Sequence, residues 1–172
     1  MRQHPNLDNI AAIVTDVDGV LTDGSIFVTP RGEAKNFNVK DGMGFKLAQK
    51  AGLKTAILTG RLSKAVEMRA KELGIDVAKM GRLDKQTALL EIESELGIPL
   101  HQMVYIGDDL PDLAPLEMVA LGFCPLDAHE VVREQAHVVP VPGGRGVFRE
   151  VVELILKNQG KWEDLLSSFR KS

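Results

Sequence analysis

The sequence predicts an α/β protein, a doubly wound parallel sheet between helix layers with a projecting β-hairpin. Three observations predict it. Short apolar, β-branched runs at residues 11–14, 54–58 and 103–106 read as strands buried on both faces. The second and third are followed by turn residues and then by helical spacing, the rhythm of βαβ units. Each run also ends in polar punctuation: Asp16-Val17-Asp18-Gly19, Thr59-Gly60-Arg61 and Gly107-Asp108-Asp109-Leu110-Pro111-Asp112. In a parallel sheet these ends meet at one edge, where open α/β sheets bind ligands.

The elements follow in order. After the first carboxylates, residues 25–29 and 33–39 flank Pro30-Arg31-Gly32 and predict a β-hairpin that interrupts the strand–helix rhythm. Asp41 is a candidate cap for a helix over residues 43–50, with Gly52 beyond its end. Ser63 caps a helix to about residue 73, closed by Gly74, and a short strand follows within residues 75–80. Leu89, Ile92 and Leu96 give residues 84–96 an apolar stripe, with Gly97 as the stop. Past residue 112 come a helix to about 120, a strand at 121–124, a helix at 129–135 and a strand at 138–139. The Gly143-Gly144-Arg145-Gly146 stretch is a bend, and residues 147–158 form the last firm helix. Residues 160–172, with Trp162 and Phe169, are expected to be weakly ordered. The length of 172 residues fits a single domain, 1–172, with no inserted cap.

Composition narrows the function classes. A net charge of -3 gives no attraction to nucleic acid or anionic membrane surfaces. No apolar run is long enough to span a bilayer, and residues 1–5 lack the apolar core of a leader, so the expected location is cytoplasmic. The single cysteine, Cys124, excludes an intrachain disulfide; in its apolar run it reads as a small buried hydrophobe.

The chemistry lies at the strand ends. Asp16 and Asp18 are two apart, so in an extended chain they point the same way. Carboxylates that close require a cation or a proton, and Mg²⁺ favours one or two carboxylates plus phosphate oxygens. Asp-Gly is also a common turn signal. Lys85 alone would be a solvated helix residue, Thr59 a strand-end hydroxyl and Asp112 a helix cap. Together at successive strand ends, these groups match phosphoryl transfer: a nucleophilic aspartate, a second carboxylate for acid/base work, a hydroxyl and a lysine for the phosphoryl oxygens. A phospho-receiver also combines aspartates, a threonine and a lysine on such a sheet, but it needs no leaving-group acid at Asp18.

The stretch Asp16-Val17-Asp18-Gly19-Val20-Leu21-Thr22-Asp23-Gly24 resembles the first motif of the haloacid dehalogenase superfamily of aspartate-nucleophile phosphatases, whose core is Rossmann-like. Thr59, Lys85 and the 107–112 stretch resemble its second, third and fourth motifs, in order. More narrowly, Phe37-Asn38-Val39-Lys40-Asp41-Gly42, the 143–146 bend and Gln159-Gly160-Lys161-Trp162 resemble the family of cap-less 3-deoxy-D-manno-octulosonate 8-phosphate phosphatases, over about residues 8–163.

The resemblance implies hydrolysis of that sugar-acid phosphate through an aspartyl-phosphate, in lipopolysaccharide biosynthesis. A nine-carbon, neuraminate-type 9-phosphate is the close alternative. It implies Asp16 as nucleophile and metal ligand, and Asp18 as acid/base with its backbone carbonyl on the Mg²⁺. Thr59 and Lys85 would hold the phosphoryl group, and Asp108 would complete the metal shell with Asp109 or Asp112 in support. Asn38, Lys40, Asp41, Gly42, Lys46, Gly60, Arg61 and Arg69, with Asp18 and Lys85, fall where the family contacts substrate. Lys40 and Lys46 stand where arginine is often found, and lysine cannot grip a carboxylate bidentately. The resemblance also implies a homotetramer in which a neighbour covers each site, with the tail entering a site.

Overall fold

The structure, a computed structural model, describes residues 6–171; the expectation of no leader at residues 1–5 lies outside them. Six strands form one parallel sheet: β1 (Ala12–Thr15), β4 (Lys54–Leu58), β5 (Val77–Lys79), β6 (Met103–Ile106), β7 (Leu121–Cys124) and β8 (His137–Val138). Their order is β5-β4-β1-β6-β7-β8. From β1 the chain builds outward through β4 and β5, then returns to add β6 on β1's other side. The order therefore reverses at β1, and the crevice beyond its carboxyl end is the topological switch point at which such sheets bind ligands.

Alternation along the strands feeds two cores. Ile13, Ile57, Val104 and Ile106 face one layer, formed by α1 (Val39–Lys50), α2 (Lys64–Leu73), α6 (Val147–Asn158) and α7 (Trp162–Arg170). Ala12, Val14, Ala56, Leu58, Met103 and Tyr105 face the other, formed by α3 (Lys85–Leu96), α4 (Leu113–Met118) and α5 (Glu130–Gln135). In the first layer Phe45 and Phe148 stack with centroids 3.8 Å apart, pinning α1 to α6. Both are fully buried, each worth about 2–3 kcal/mol of apolar burial. Cys124 is buried, and burial pushes its thiol up to about 11, as a structural cysteine should behave.

Three sequence expectations need correction. Helix α1 begins at Val39, and Asn38, not Asp41, caps it by accepting from the Lys40 amide at 2.8 Å. The hairpin strands are shorter than expected, β2 (Phe27–Thr29) and β3 (Gly32–Ala34), because residues 35–38 pair with no strand and lead into α1. The tail, expected to be weakly ordered, forms α7, which buries Leu165; Trp162, Leu165, Leu166 and Phe169 line, with Met43, Leu47 and Arg149, a cavity of about 250 Å³. Spacing of Trp162, Leu165, Leu166 and Phe169 at i, i+3, i+4 and i+7 was the overlooked signal. Among the described residues, none of the tail lines the strand-end cavity.

Candidate active site

The loop after β1 is held from both sides. The Asp16 amide continues the ladder to the Ile106 carbonyl at 2.9 Å, and the amides of Val20, Leu21 and Thr22 converge on the Val17 carbonyl. Gly19 takes φ +86°, and a Cβ there would lie 1.9 Å from Asp108 Oδ2, so only glycine lets these loops meet. The 143–146 bend backs this loop: the Gly144 amide donates to the Val20 carbonyl at 2.9 Å, and a Cβ on Gly143 would sit 2.0 Å from the Gly19 carbonyl oxygen. Asn38 ties the same bend to α1 by donating to the Gly144 carbonyl at 3.1 Å.

Lys85, the first residue of α3, donates to Asp16 Oδ2 and to Asp112 Oδ1, both at 2.7 Å. Asp112 is completely buried and fully engaged: Tyr105 donates its hydroxyl to Oδ1 at 2.6 Å, and the Asp108 and Asp109 amides donate to Oδ2 at 2.9 and 3.3 Å. Burial opposes Lys85's charge, but Asp16 and Asp112 outweigh it and hold its pKa up. Burial, then the charge of Asp112, pushes Asp16 up to about 7; burial, then the charges of Asp16 and Asp112, pushes Asp108 up to about 8.

Oxygens of Asp16, Asp108 and Asp112 lie within 4.8 Å of one another, with one lysine among them. A divalent cation satisfies such a set: it supplies the missing positive charge, and hard carboxylate oxygens suit Mg²⁺. Asp112 joins Asp16 and Asp108 in this group, and the Asp18 carboxyl forms an ion pair with Lys35. Asp18 as a ligand through its backbone carbonyl is untouched by this.

The cavity over these groups measures about 360 Å³ and is lined by Asp16, Asp18, Thr59, Gly60, Arg61, Lys85 and Asp108, with Gly19, Gly24, Arg82, Leu83, Asp109 and Pro111. A buried carboxylate, a second carboxyl beside it, a threonine, a lysine and an acid cluster thus face one space, the requirements of phosphoryl transfer to aspartate.

The remaining expected substrate residues lie outside the cavity. Asn38 caps α1, and Lys40 is exposed. Asp41 is buried and accepts from the Arg149 amide at 3.0 Å at the start of α6. Gly42 packs against the Arg69 guanidinium, Lys46 donates to the Leu73 carbonyl at 2.7 Å, and Arg69 pairs with Glu72 at 2.8 Å. Sequence reasoning missed Lys35, which lacks motif context, and Arg82, which donates bidentately to Glu91 at 2.6 Å and so holds its carboxyl down to about 2.

Comparison with known proteins agrees with this geometry. Residues 39–119 match the haloacid dehalogenase-like hydrolase family model. The chain is 40% identical over 170 residues to 3-deoxy-D-manno-octulosonate 8-phosphate phosphatase KdsC of Haemophilus influenzae, covering 96% of this chain and 94% of that protein. A crystal structure of the phosphatase of that name from Moraxella catarrhalis, in complex with magnesium ion, phosphate ion and KDO, is 40% identical with a TM-score of 0.91, covering 95% of each chain. A probable YrbI family phosphatase from Pseudomonas syringae is 43% identical with a TM-score of 0.93, covering 97% of this chain and 96% of that one. With strand ends, acid cluster and near-complete sequence coverage in agreement, this chain belongs to the 3-deoxy-D-manno-octulosonate 8-phosphate phosphatase family of haloacid dehalogenase-like hydrolases.

Proposed function

We propose that this chain is a Mg²⁺-dependent phosphatase that hydrolyses 3-deoxy-D-manno-octulosonate 8-phosphate to the free sugar acid and phosphate. The observation that carries the reading is the meeting of Asp16, Asp18, Thr59 and Lys85 in one cavity beside the acid cluster. The Moraxella catarrhalis relative, bound to magnesium, phosphate and KDO, supports both metal and substrate.

In the first step an Asp16 carboxylate oxygen bonds to phosphorus as the ester P–O bond breaks, and Asp18 gives its proton to the departing sugar oxygen. In the second, Asp18 takes a proton from water, which displaces the phosphoryl group from Asp16. The Thr59 hydroxyl and the Lys85 ammonium hold the phosphoryl oxygens. Lys85 is already drawn to this spot by Asp16 and Asp112, so it need not reorganise. Asp16, Asp108 and the Asp18 backbone carbonyl would hold Mg²⁺, with Asp112 orienting the loop, and the metal would neutralise phosphate charge.

The reading extends to a single domain working in the cytoplasm, in lipopolysaccharide biosynthesis, as a homotetramer in which a neighbour covers each open site. Support for assembly comes from the hairpin, whose Phe27 and Val28 are 60% and 84% exposed, and from exposed Leu62 and Met68 on the α2 side. Among the described residues no helix is long and apolar enough to cross a membrane.

The test is phosphate release from the eight-carbon substrate, a nine-carbon 9-phosphate and p-nitrophenyl phosphate, with Mg²⁺, with Ca²⁺ and with excess chelator. Many turnovers, preference for the eight-carbon substrate and loss of activity with Ca²⁺ or chelator are expected, because Ca²⁺ takes longer, looser coordination. Transfer that stops at one phosphoryl group per chain, or release that persists in chelator, overturns the reading.

A further inference from the structure

We propose that Lys35 is a positioning residue for Asp18, orienting the carboxyl that protonates the departing sugar oxygen. The inference rests on the acid/base reading of Asp18. Lys35 follows β3 at the foot of the hairpin, and its side chain is wholly shielded from solvent. Its ammonium donates to Asp18 Oδ1, with Glu33 Oε1 3.5 Å away on its other side. Glu33 in turn accepts from Arg61 Nη2 at 2.7 Å, and Arg61 lines the cavity. Alternating charges Asp18, Lys35, Glu33 and Arg61 thus run from one cavity wall through the hairpin to another. Lys35 itself does not line the cavity.

The terminal torsion of an aspartate is broad, so an unsupported carboxyl presents either oxygen over a range of angles. An ammonium on Oδ1 restricts it and presents Oδ2 to the leaving group. As the ester P–O bond breaks and the Asp16–phosphorus bond forms, the proton on Asp18 Oδ2 passes to the sugar oxygen, and Asp18 is left a carboxylate. A charge-assisted hydrogen bond from Lys35 is stronger to that carboxylate than to the neutral acid, so the interaction grows along the reaction.

A lysine that merely staples the hairpin would affect all substrates alike, whereas a lysine acting through the acid should spare p-nitrophenyl phosphate, whose leaving group departs without a proton. In Lys35→Met, kcat/KM for the sugar-acid phosphate is expected to fall about 100-fold, and that for p-nitrophenyl phosphate by less than about 3-fold. Lys35→Arg should recover about ten-fold of the loss, since it restores the charged donor. Asp18→Asn is the reference. If it lacks the contrast between substrates, the acid reading of Asp18 falls and this inference with it. If it shows the contrast but Lys35→Met loses both activities equally, or neither, only the role of Lys35 is overturned. Should Lys35→Met fail to fold by circular dichroism, Glu33→Gln decides: a smaller loss selective for the sugar acid supports the role, and equal or no losses overturn it.

Discussion

At the strand ends, Asp16, Lys85 and Asp112 are buried and satisfy one another, whereas at the start of α1 the charged groups answer to helix ends and solvent. Lys85 spans two carboxylates at 2.7 Å each. Lys46, exposed, donates to a helix-end carbonyl; Lys40 is solvated; Arg69 pairs with Glu72 and lies over the Phe37 ring. The contrast separates chemistry from recognition. Phosphoryl transfer needs charges preorganised away from water, and a sheet edge supplies rigid anchors for them. Under the proposed function, recognition of a sugar carboxylate falls to the more exposed cations around the site.

The largest break in the comparison comes from Asp16→Asn. Turnover should fall by about 10³-fold or more, since the carboxylate proposed as nucleophile is gone while volume is kept. The melting temperature in chelator should hold or rise, because the change removes a charge whose burial, and then its repulsion with Asp112, raises Asp16. Ordinary steady-state rates in this variant would remove Asp16 from its role.

A second test sets the buried acid of the α1 region against that of the site. Burial holds Asp41 up at about 6 against an ordinary 3.8, although amides at the start of α6 pull the other way. Its Oδ2 is buried without a hydrogen-bond partner. Between those values the folded chain binds a proton that the unfolded chain does not. The stability tied to Asp41 is therefore full below the ordinary value and lost as pH rises through about 6, by up to about 3 kcal/mol. Asp41→Asn, which keeps the acceptor for the Arg149 amide, should gain on the parent chain in thermal melts as pH is raised from 4 to 7. Parallel curves would show that Asp41 is not held protonated there.

The smallest expected effect sharpens the recognition side. Arg61→Met should lower kcat/KM for the sugar-acid phosphate about ten-fold while changing p-nitrophenyl phosphate within about two-fold, since a rim cation reads the remote carboxylate and not the phosphate. Arg69→Met, outside the cavity, should shift the same ratio less. Losses equal on both substrates would deny these arginines a carboxylate-reading role.

Much of this molecule could be read along the chain. β1, β4 and β6, the Ser63 cap and the Gly74 and Gly97 stops announced themselves because they are local: a period, a side chain reaching an amide three residues on, a glycine at positive φ. The convergence of Asp16, Thr59 and Asp108 was legible too, since a parallel sheet brings its strand ends to one edge.

The sequence by itself therefore determined the fold class, the strand-end groups and the reaction class they imply, all of which rest on short-range pattern and on sheet geometry. Only the tertiary structure decided which carboxylates share the metal-sized space, that Asp18 faces Lys35, that Asp41 tethers α6 instead of capping α1, and that Gly143 exists to let the bend touch Gly19. Those pairings join residues up to more than a hundred positions apart. Their formation depends on how two helix layers close over one sheet, and no local propensity records that.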